Sequence, residues 1–255
     1  MNKKTAWLVM VIFFAILIGL VVVSYVVSNL GPREAKIAAN TYLEIQLNGR
    51  LEEYVSTTSL SNFLEGSTIS LFDTWVNLRK AAVDPRIKAV VLKFGLLDAD
   101  WAKIEELRQA VLEFRKSGKP VISYFEESPE ADKEYYLATA SDRILIHPLG
   151  WLGVNGLSSY VLFFKTALTN LGIKAEFEHI AEYKTAYNQF TEDGFTPAHK
   201  EMMESIYQDI FDHYYHQLAT ARKKSPEEMR SLIDHGYFQG KETVTAGLVD
   251  ALAYE

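Results

Sequence analysis

The order of apolar segments in this 255-residue chain predicts an α/β domain with a largely parallel sheet, carried behind one N-terminal membrane-spanning helix. Three observations carry that reading. Residues 5–30 contain no charged side chain, and beyond them short apolar runs alternate with amphipathic segments of helical length. The composition, 48% hydrophobic and 23% charged with a net charge of −7, is that of a folded domain with an acidic surface. The absence of cysteine excludes disulfides, thiolate metal ligands, iron–sulfur clusters and thiol nucleophiles. The acidic balance argues against broad nucleic-acid binding, because counterion release requires clustered Lys and Arg.

Residues 6–28 read as the anchor. Roughly 20 apolar residues cross the hydrocarbon core, whereas the apolar region of a cleavable signal runs to about 7 to 15. Trp7 and Tyr25 fall at interfacial depths, and Gly19 is tolerated in a membrane helix. Lys3 and Lys4 precede the helix and Arg33 and Lys36 follow it, so the terminal amine tips the balance. Residues 1–5 are placed in the cytoplasm and the globular part outside it. Residues 29–40, with Gly31-Pro32, form a linker, and a single domain occupies 41–255.

Within that domain, residues 42–48 alternate in polarity and Asn48-Gly49 supplies a turn, which predicts a strand opening a hairpin. Residues 60–66 read as a loop. Leu71, Trp75, Leu78 and Ala82 recur at helical spacing until Asp84-Pro85 ends the segment. A strand over 89–94 precedes a helix over 101–116 with Ile104, Leu107, Val111 and Phe114 on one face, stopped by Gly118-Lys119-Pro120. A strand over 121–124, a helix over 130–140 and a strand over 143–147 follow. Such alternation implies βαβ units with right-handed crossovers. Further on, the pattern predicts a helix over 158–171, a strand over 175–180 and a polar loop over 181–195. Thr196-Pro197 then caps a long helix to about 223, with Met203, Ile206, Ile210, Tyr214 and Leu218 on its inner face. Ser225-Pro226-Glu227-Glu228 is a capping box opening a further helix, and residues 243–252 close the domain.

The nearest approach to a nucleophile elbow, Gly156-Leu157-Ser158-Ser159-Tyr160, lacks its final glycine, and no glycine-rich phosphate loop occurs. Asp209, Asp212, His213 and His216 share one helix, but without the Glu of a His-Glu-x-x-His motif they read as a polar helix face, and no metal or cofactor is expected. Lys184 stands out in Tyr183-Lys184-Thr185-Ala186-Tyr187-Asn188-Gln189-Phe190. A lysine is a base only when neutral, so catalysis would ask for burial against apolar groups such as Tyr183, Tyr187 or Phe190. Taken by itself, the residue reads as a solvated loop lysine.

Five segments change that weighting: Asp84-Pro85-Arg86-Ile87-Lys88-Ala89-Val90-Val91-Leu92, Ser117-Gly118-Lys119-Pro120-Val121, Tyr135-Tyr136-Leu137-Ala138, Tyr183-Lys184-Thr185-Ala186 and Ala246-Gly247-Leu248-Val249-Asp250. In this order and spacing, behind an anchor, they resemble the signal peptide peptidase (SppA) family of membrane-bound Ser-Lys peptidases. The likeness covers roughly 41–255 and is strongest to the first of the two repeats of the family's long form. It implies a ClpP/crotonase-like fold of repeated β-β-α units and hydrolysis of cleaved signal peptides or other peptides. It also implies a homo-oligomer or association with a serine-bearing second repeat, at the inner membrane.

By that resemblance Lys184 is the general base, in a Tyr-Lys-Ser-Ala motif where Thr185 replaces the serine. The family's nucleophilic serine, at the start of a helix, would fall near Asp132 in Asp132-Lys133-Glu134-Tyr135, so this chain carries no nucleophile there. The family's glycine-rich oxyanion loop would fall near Phe94-Gly95-Leu96-Leu97-Asp98, where paired glycines are missing. The serine is therefore expected from a repeat beyond Glu255 or from a partner. A non-catalytic membrane-anchored scaffold of the same fold is the alternative, and an acyl-CoA enzyme of crotonase type a third.

Overall fold

The structure is a computed structural model describing residues 3–30, 37–55, 68–178 and 180–255. The loop expected over 60–66 and most of the expected linker lie outside the described residues. Two units are present, Met1–Ala38 and Ala39–Glu255. The first holds helix α1 (Lys3–Leu30), whose 28 residues rise about 42 Å at 1.5 Å per residue. Its described side chains, Trp7 and residues 9–25, are exposed throughout. Counted over the described residues alone, no helix is long and apolar enough to cross a membrane.

The second unit is built on β1 (Thr41–Glu52), β2 (Thr68–Ser70), β3 (Ile87–Asp98), β4 (Val121–Phe125), β5 (Arg143–Ile146) and β8 (Ala251–Leu252). They form one six-stranded sheet in the order β2-β1-β3-β4-β5-β8, with every neighbouring pair parallel. Parallel neighbours need crossovers; α2 (Leu71–Val83) leads into β3, α3 (Trp101–Arg115) joins β3 to β4, and the helix Asp132–Ala138 joins β4 to β5. Ser70 caps α2 by accepting from the Asp73 N–H at 3.0 Å. Ile104, Leu107, Val111 and Phe114 of α3 are all buried, as their spacing predicts. Beneath them Phe94 of β3 stacks on Phe125 of β4 with centroids 4.7 Å apart. Each such buried ring contributes about 1.5–3 kcal/mol.

The expected hairpin at Asn48-Gly49 does not form. Both residues lie inside β1, where Gly49 takes φ 94° and the register on β3 shifts between Leu47 and Gly49. The positive φ absorbs a bulge instead of reversing the chain. At the same place the Asn48 side chain lies over Gly95, where a Cβ would sit 2.7 Å from its Oδ1.

The remaining elements are α4 (Asp132–Ala138), β6 (Trp151–Val154), α5 (Lys165–Asn170), α6 (Asn188–Thr191), α7 (Pro197–Arg222), α8 (Pro226–His235), β7 (Gly236–Gln239) and α9 (Lys241–Thr245). Strands β6 and β7 make a separate antiparallel pair that sequence periodicity did not reveal. The Thr196 cap with Pro197 and the Ser225–Glu228 capping box form as expected. The helix expected over 158–171 is reduced to α5. Residues 158–164, rich in β-branched and aromatic side chains, run without regular structure. They are held by Phe163 edge-on to Phe195 and by the Phe164 N–H donating to the Gln189 carbonyl. Of the strand expected over 175–180, residues 175–178 form none, and Phe177 stacks instead on Tyr187 and Phe190; residue 179 lies outside the described residues. In α7, Tyr214 and Leu218 are buried as expected, but Met203 and Ile210 are only half-buried and Ile206 is exposed.

Candidate functional site

The end of β3, the start of α4 and the loop after β6 meet at one place. Segment 128–131 runs beside β6: Ser128 N–H donates to Trp151 O, Gly153 N–H to Ser128 O and Ala131 N–H to Gly153 O, each at 2.8 Å. Gly153 is required there, since a Cβ would sit 1.7 Å from the Pro129 carbonyl oxygen. This pairing delivers Asp132 as the first residue of α4, at the wall of a cavity of about 540 Å³ that Leu96, Leu97, Trp101, Glu134 and Gly156 also line.

Asp132 is half-buried and fully engaged. Its Oδ1 accepts from Tyr214 Oη at 2.6 Å and from the Gly156 N–H at 3.0 Å, and Oδ2 from the Asn155 N–H at 3.4 Å. Burial raises its pKa above the ordinary aspartate value, against the pull of those donors. Two residues on, Glu134 is 3% exposed, and its Oε1 accepts the Leu97 N–H at 2.8 Å. Burial likewise raises its pKa, opposed by that N–H. Burial, with the Asp132 carboxylate second, pushes the Tyr214 hydroxyl well above its usual range.

Helix α4 is fixed from behind. Arg108, buried on α3, donates to the Tyr136 carbonyl and to Thr139 Oγ1, both at 3.0 Å, and its guanidinium lies over the Tyr136 ring. Burial lowers its pKa. Tyr135 Oη donates to the Leu248 carbonyl at 2.6 Å, so the Tyr135-Tyr136 pair ties α4 to both α3 and the C-terminal segment.

Lys184 lies in a turn before α6, its N–H donating to the Ala181 carbonyl at 3.1 Å. Its neighbours are pinned to the first turns of α7. Tyr183 Oη donates to Glu201 at 2.9 Å, buried Thr185 points its hydroxyl at Met202 Sδ at 3.9 Å, and buried Asn188 donates from Nδ2 to Thr196 Oγ1 at 3.3 Å. The Lys184 side chain is exposed. Burial against Tyr183, Tyr187 or Phe190 is not what the structure places there, because Tyr187 and Phe190 are turned to Phe177. Nor does Lys184 line the cavity that holds Asp132.

His213 and His216 sit apart in role: His213 Nε2 is 3.0 Å from Tyr136 Oη, and His216 Nδ1 is 2.6 Å from the Asp212 carbonyl. The part of Glu134 was not readable beforehand, since nothing in a sequence marks the Leu97 N–H as needing an acceptor. The missing glycines of 94–98 were the one available signal.

A parallel α/β sheet with a polar cavity beside the loops that follow its strands defines a class of enzyme-like domains. The comparisons narrow it: residues 113–255 match the model of Peptidase family S49. The chain belongs to that family. It is 28% identical over 220 residues to the chloroplastic serine protease SPPA of Arabidopsis thaliana, covering 86% of this chain and 31% of that protein. It is 30% identical over 193 residues to Protease 4 of Salmonella typhi, covering 72% and 31%. To a putative signal peptide peptidase SppA of Enterococcus faecium it is 21% identical over 218 residues, covering 83% and 60%. The chain thus spans about a third of the length of the first two relatives. Among solved structures, a mutant of the 1510-N membrane-bound stomatin-specific protease aligns with a TM-score of 0.48 at 13% identity, over 86% of this chain and 82% of that one. An enoyl-CoA hydratase/isomerase family member aligns at 0.45 and 13%, over 87% and 70%.

Proposed function

We propose that this chain is the lysine-bearing repeat of a Ser-Lys peptidase of ClpP/crotonase type, anchored by α1 in the inner membrane with its globular part outside the cytoplasm. Lys184 is the general base, and the nucleophilic serine comes from a second repeat or a partner subunit. The observation that carries this reading is the family match across Tyr183-Lys184-Thr185-Ala186, combined with a carboxylate, Asp132, where the hydroxyl is expected. Relatives about three times the matched length leave room for another repeat. The substrates are peptides, cleaved signal peptides among them.

In the mechanism, neutral Lys184 takes the proton of the serine hydroxyl as the serine attacks the scissile carbonyl, the lysine ammonium returns that proton to the departing amine as the C–N bond breaks, and water, deprotonated by the again-neutral lysine, hydrolyses the acyl ester and restores the serine. Water disfavours the neutral amine, so an exposed Lys184 must be desolvated by whatever brings the serine. The loop supports that completion from outside: Ile180, Tyr183 and Phe190 are exposed, and the buried His199 Nδ1 on the first turn of α7 has no hydrogen-bond partner among the described residues. The run 5–30 of α1, which carries no charged side chain, supports the anchor.

The test is hydrolysis of a fluorogenic peptide by the native membrane assembly with Lys184→Ala. Abolished turnover with unchanged assembly and membrane attachment is expected; retained turnover removes the base assignment. A non-catalytic scaffold is favoured by one observation, the carboxylates of Asp132 and Glu134 at the cavity, and would be established by a native assembly that cleaves no peptide at all.

A further inference from the structure

We infer that the cavity at the start of α4 is closed to acyl-transfer chemistry by the chain's own carboxylates, with Glu134 and Asp132 occupying the backbone N–H groups that would otherwise receive a carbonyl oxygen. This rests on the reading that the serine is supplied from outside this chain.

An oxyanion site consists of preorganised N–H donors aimed at one point where negative charge develops, with nothing already bound to them. The cavity has such donors on two sides, Leu97 from the end of β3 and Asn155 and Gly156 from the loop after β6. None is free. The Leu97 N–H is held by Glu134 Oε1 at 2.8 Å, the Gly156 N–H by Asp132 Oδ1 at 3.0 Å, and the Asn155 N–H by Asp132 Oδ2 at 3.4 Å. Charge-assisted bonds of this kind outcompete a neutral carbonyl for the same donor. A developing alkoxide would also meet two carboxylates in a partly desolvated space, where like charges repel strongly. One aliphatic hydroxyl, that of Ser158, lines the cavity among the described residues, and Tyr207 and Trp101 give it aromatic walls. With the donors taken, that serine has no transition state to serve. The pair also couples β3 and the loop after β6 to α4, since Glu134 reaches back to the end of β3 while Asp132 reaches forward to that loop and to Tyr214 on α7.

The experiment uses the full chain in detergent micelles. Amide exchange at Leu97 is slow in the wild type, at least about tenfold faster in Glu134→Ala, and slow again in Glu134→Gln, which keeps an acceptor oxygen. Gly156 responds in the same way to Asp132→Ala. A fluorophosphonate probe leaves the wild-type chain unlabelled, and titrated phenylphosphonate perturbs the Leu97 amide in Glu134→Ala but not in the wild type. Labelling of Ser158, anion binding at Leu97 in the wild type, or unchanged Leu97 exchange in a folded Glu134→Ala variant would overturn the inference. Where the alanine variant does not fold, the probe and anion measurements on the wild type decide. None of these readouts involves Lys184, so loss of the base assignment leaves them standing.

Discussion

The two halves of the peptidase site expected in this chain are built differently. Around α4 every polar group is spoken for: Asp132 has three donors, Glu134 holds Leu97, Arg108 holds Tyr136 and Thr139, and Tyr135 reaches Leu248. Around Lys184 the side chains of Tyr183, Thr185 and Asn188 pin the loop to α7, yet the lysine is exposed, apolar rings face solvent and the buried His199 Nδ1 has no partner among the described residues. One region is finished inside the chain and the other is only held in position. A domain that acted alone would need the reverse, an open cavity and a desolvated base.

The sharpest way to break that contrast is Lys184→Arg in the native assembly. Arginine keeps the positive charge and much of the reach but does not give up its proton in proteins. Peptide turnover should fall by about 10²–10⁴-fold, the range for removing a general base, while thermal stability stays put because the side chain is exposed. Turnover within a few-fold of wild type would mean that Lys184 contributes charge and not proton transfer.

On the finished side, Arg108→Ala is expected to destabilise the domain by about 2–4 kcal/mol, from the lost stem packing and the cavity left behind. Arg108→Met should recover most of this, because it refills the volume and relieves the burial of an unpaired charge. Denaturant titration of both variants checks it. Equal losses for Ala and Met would assign the cost to the hydrogen bonds instead of the packing.

How far this contrast was legible in advance follows from what each feature rests on. The crossover helices and central strands were readable because their apolar spacing is a direct record of burial, as in Ile104, Leu107, Val111 and Phe114. Ser225 and Thr196 were readable because caps are local. The Asn48-Gly49 pair misled, since the same dipeptide serves a turn or a bulge and only the partner strand decides. The stretch 158–178 misled for a different reason. Its apolar side chains are half-buried or exposed, so periodicity there does not report on this domain's own core. Lys184 and Asp132 were located through motif order, but Glu134's acceptor role depends on a contact 37 residues away that no local pattern encodes.

A smaller effect is expected at the pin beneath Lys184. Asn188→Ala removes a buried donor to Thr196, itself the cap of α7, and should cost about 1 kcal/mol. Amide exchange should quicken over 181–195 and leave α4 unaltered. Faster exchange spreading into α4 would mean that the two regions are energetically one.

The smallest effect tests the carboxylates themselves. Burial raises the pKa of Glu134 in the folded chain above its unfolded value, so between those two values the folded state binds more protons than the unfolded one. Stability from this group is therefore greatest in acid, declines as pH rises from the ordinary glutamate range through the raised value, and levels off above it. Glu134→Gln removes that decline while preserving an oxygen for the Leu97 N–H. The variant should match the wild type near pH 4 and melt higher at pH 7.5, by about 3 °C if the difference is near 1 kcal/mol. A melting difference that is constant across pH would mean that the folded chain does not hold this charge at a cost. A variant that melts lower at pH 7.5 would mean that the charged hydrogen bond to Leu97 outweighs burial, making Glu134 a net stabiliser of the closed cavity.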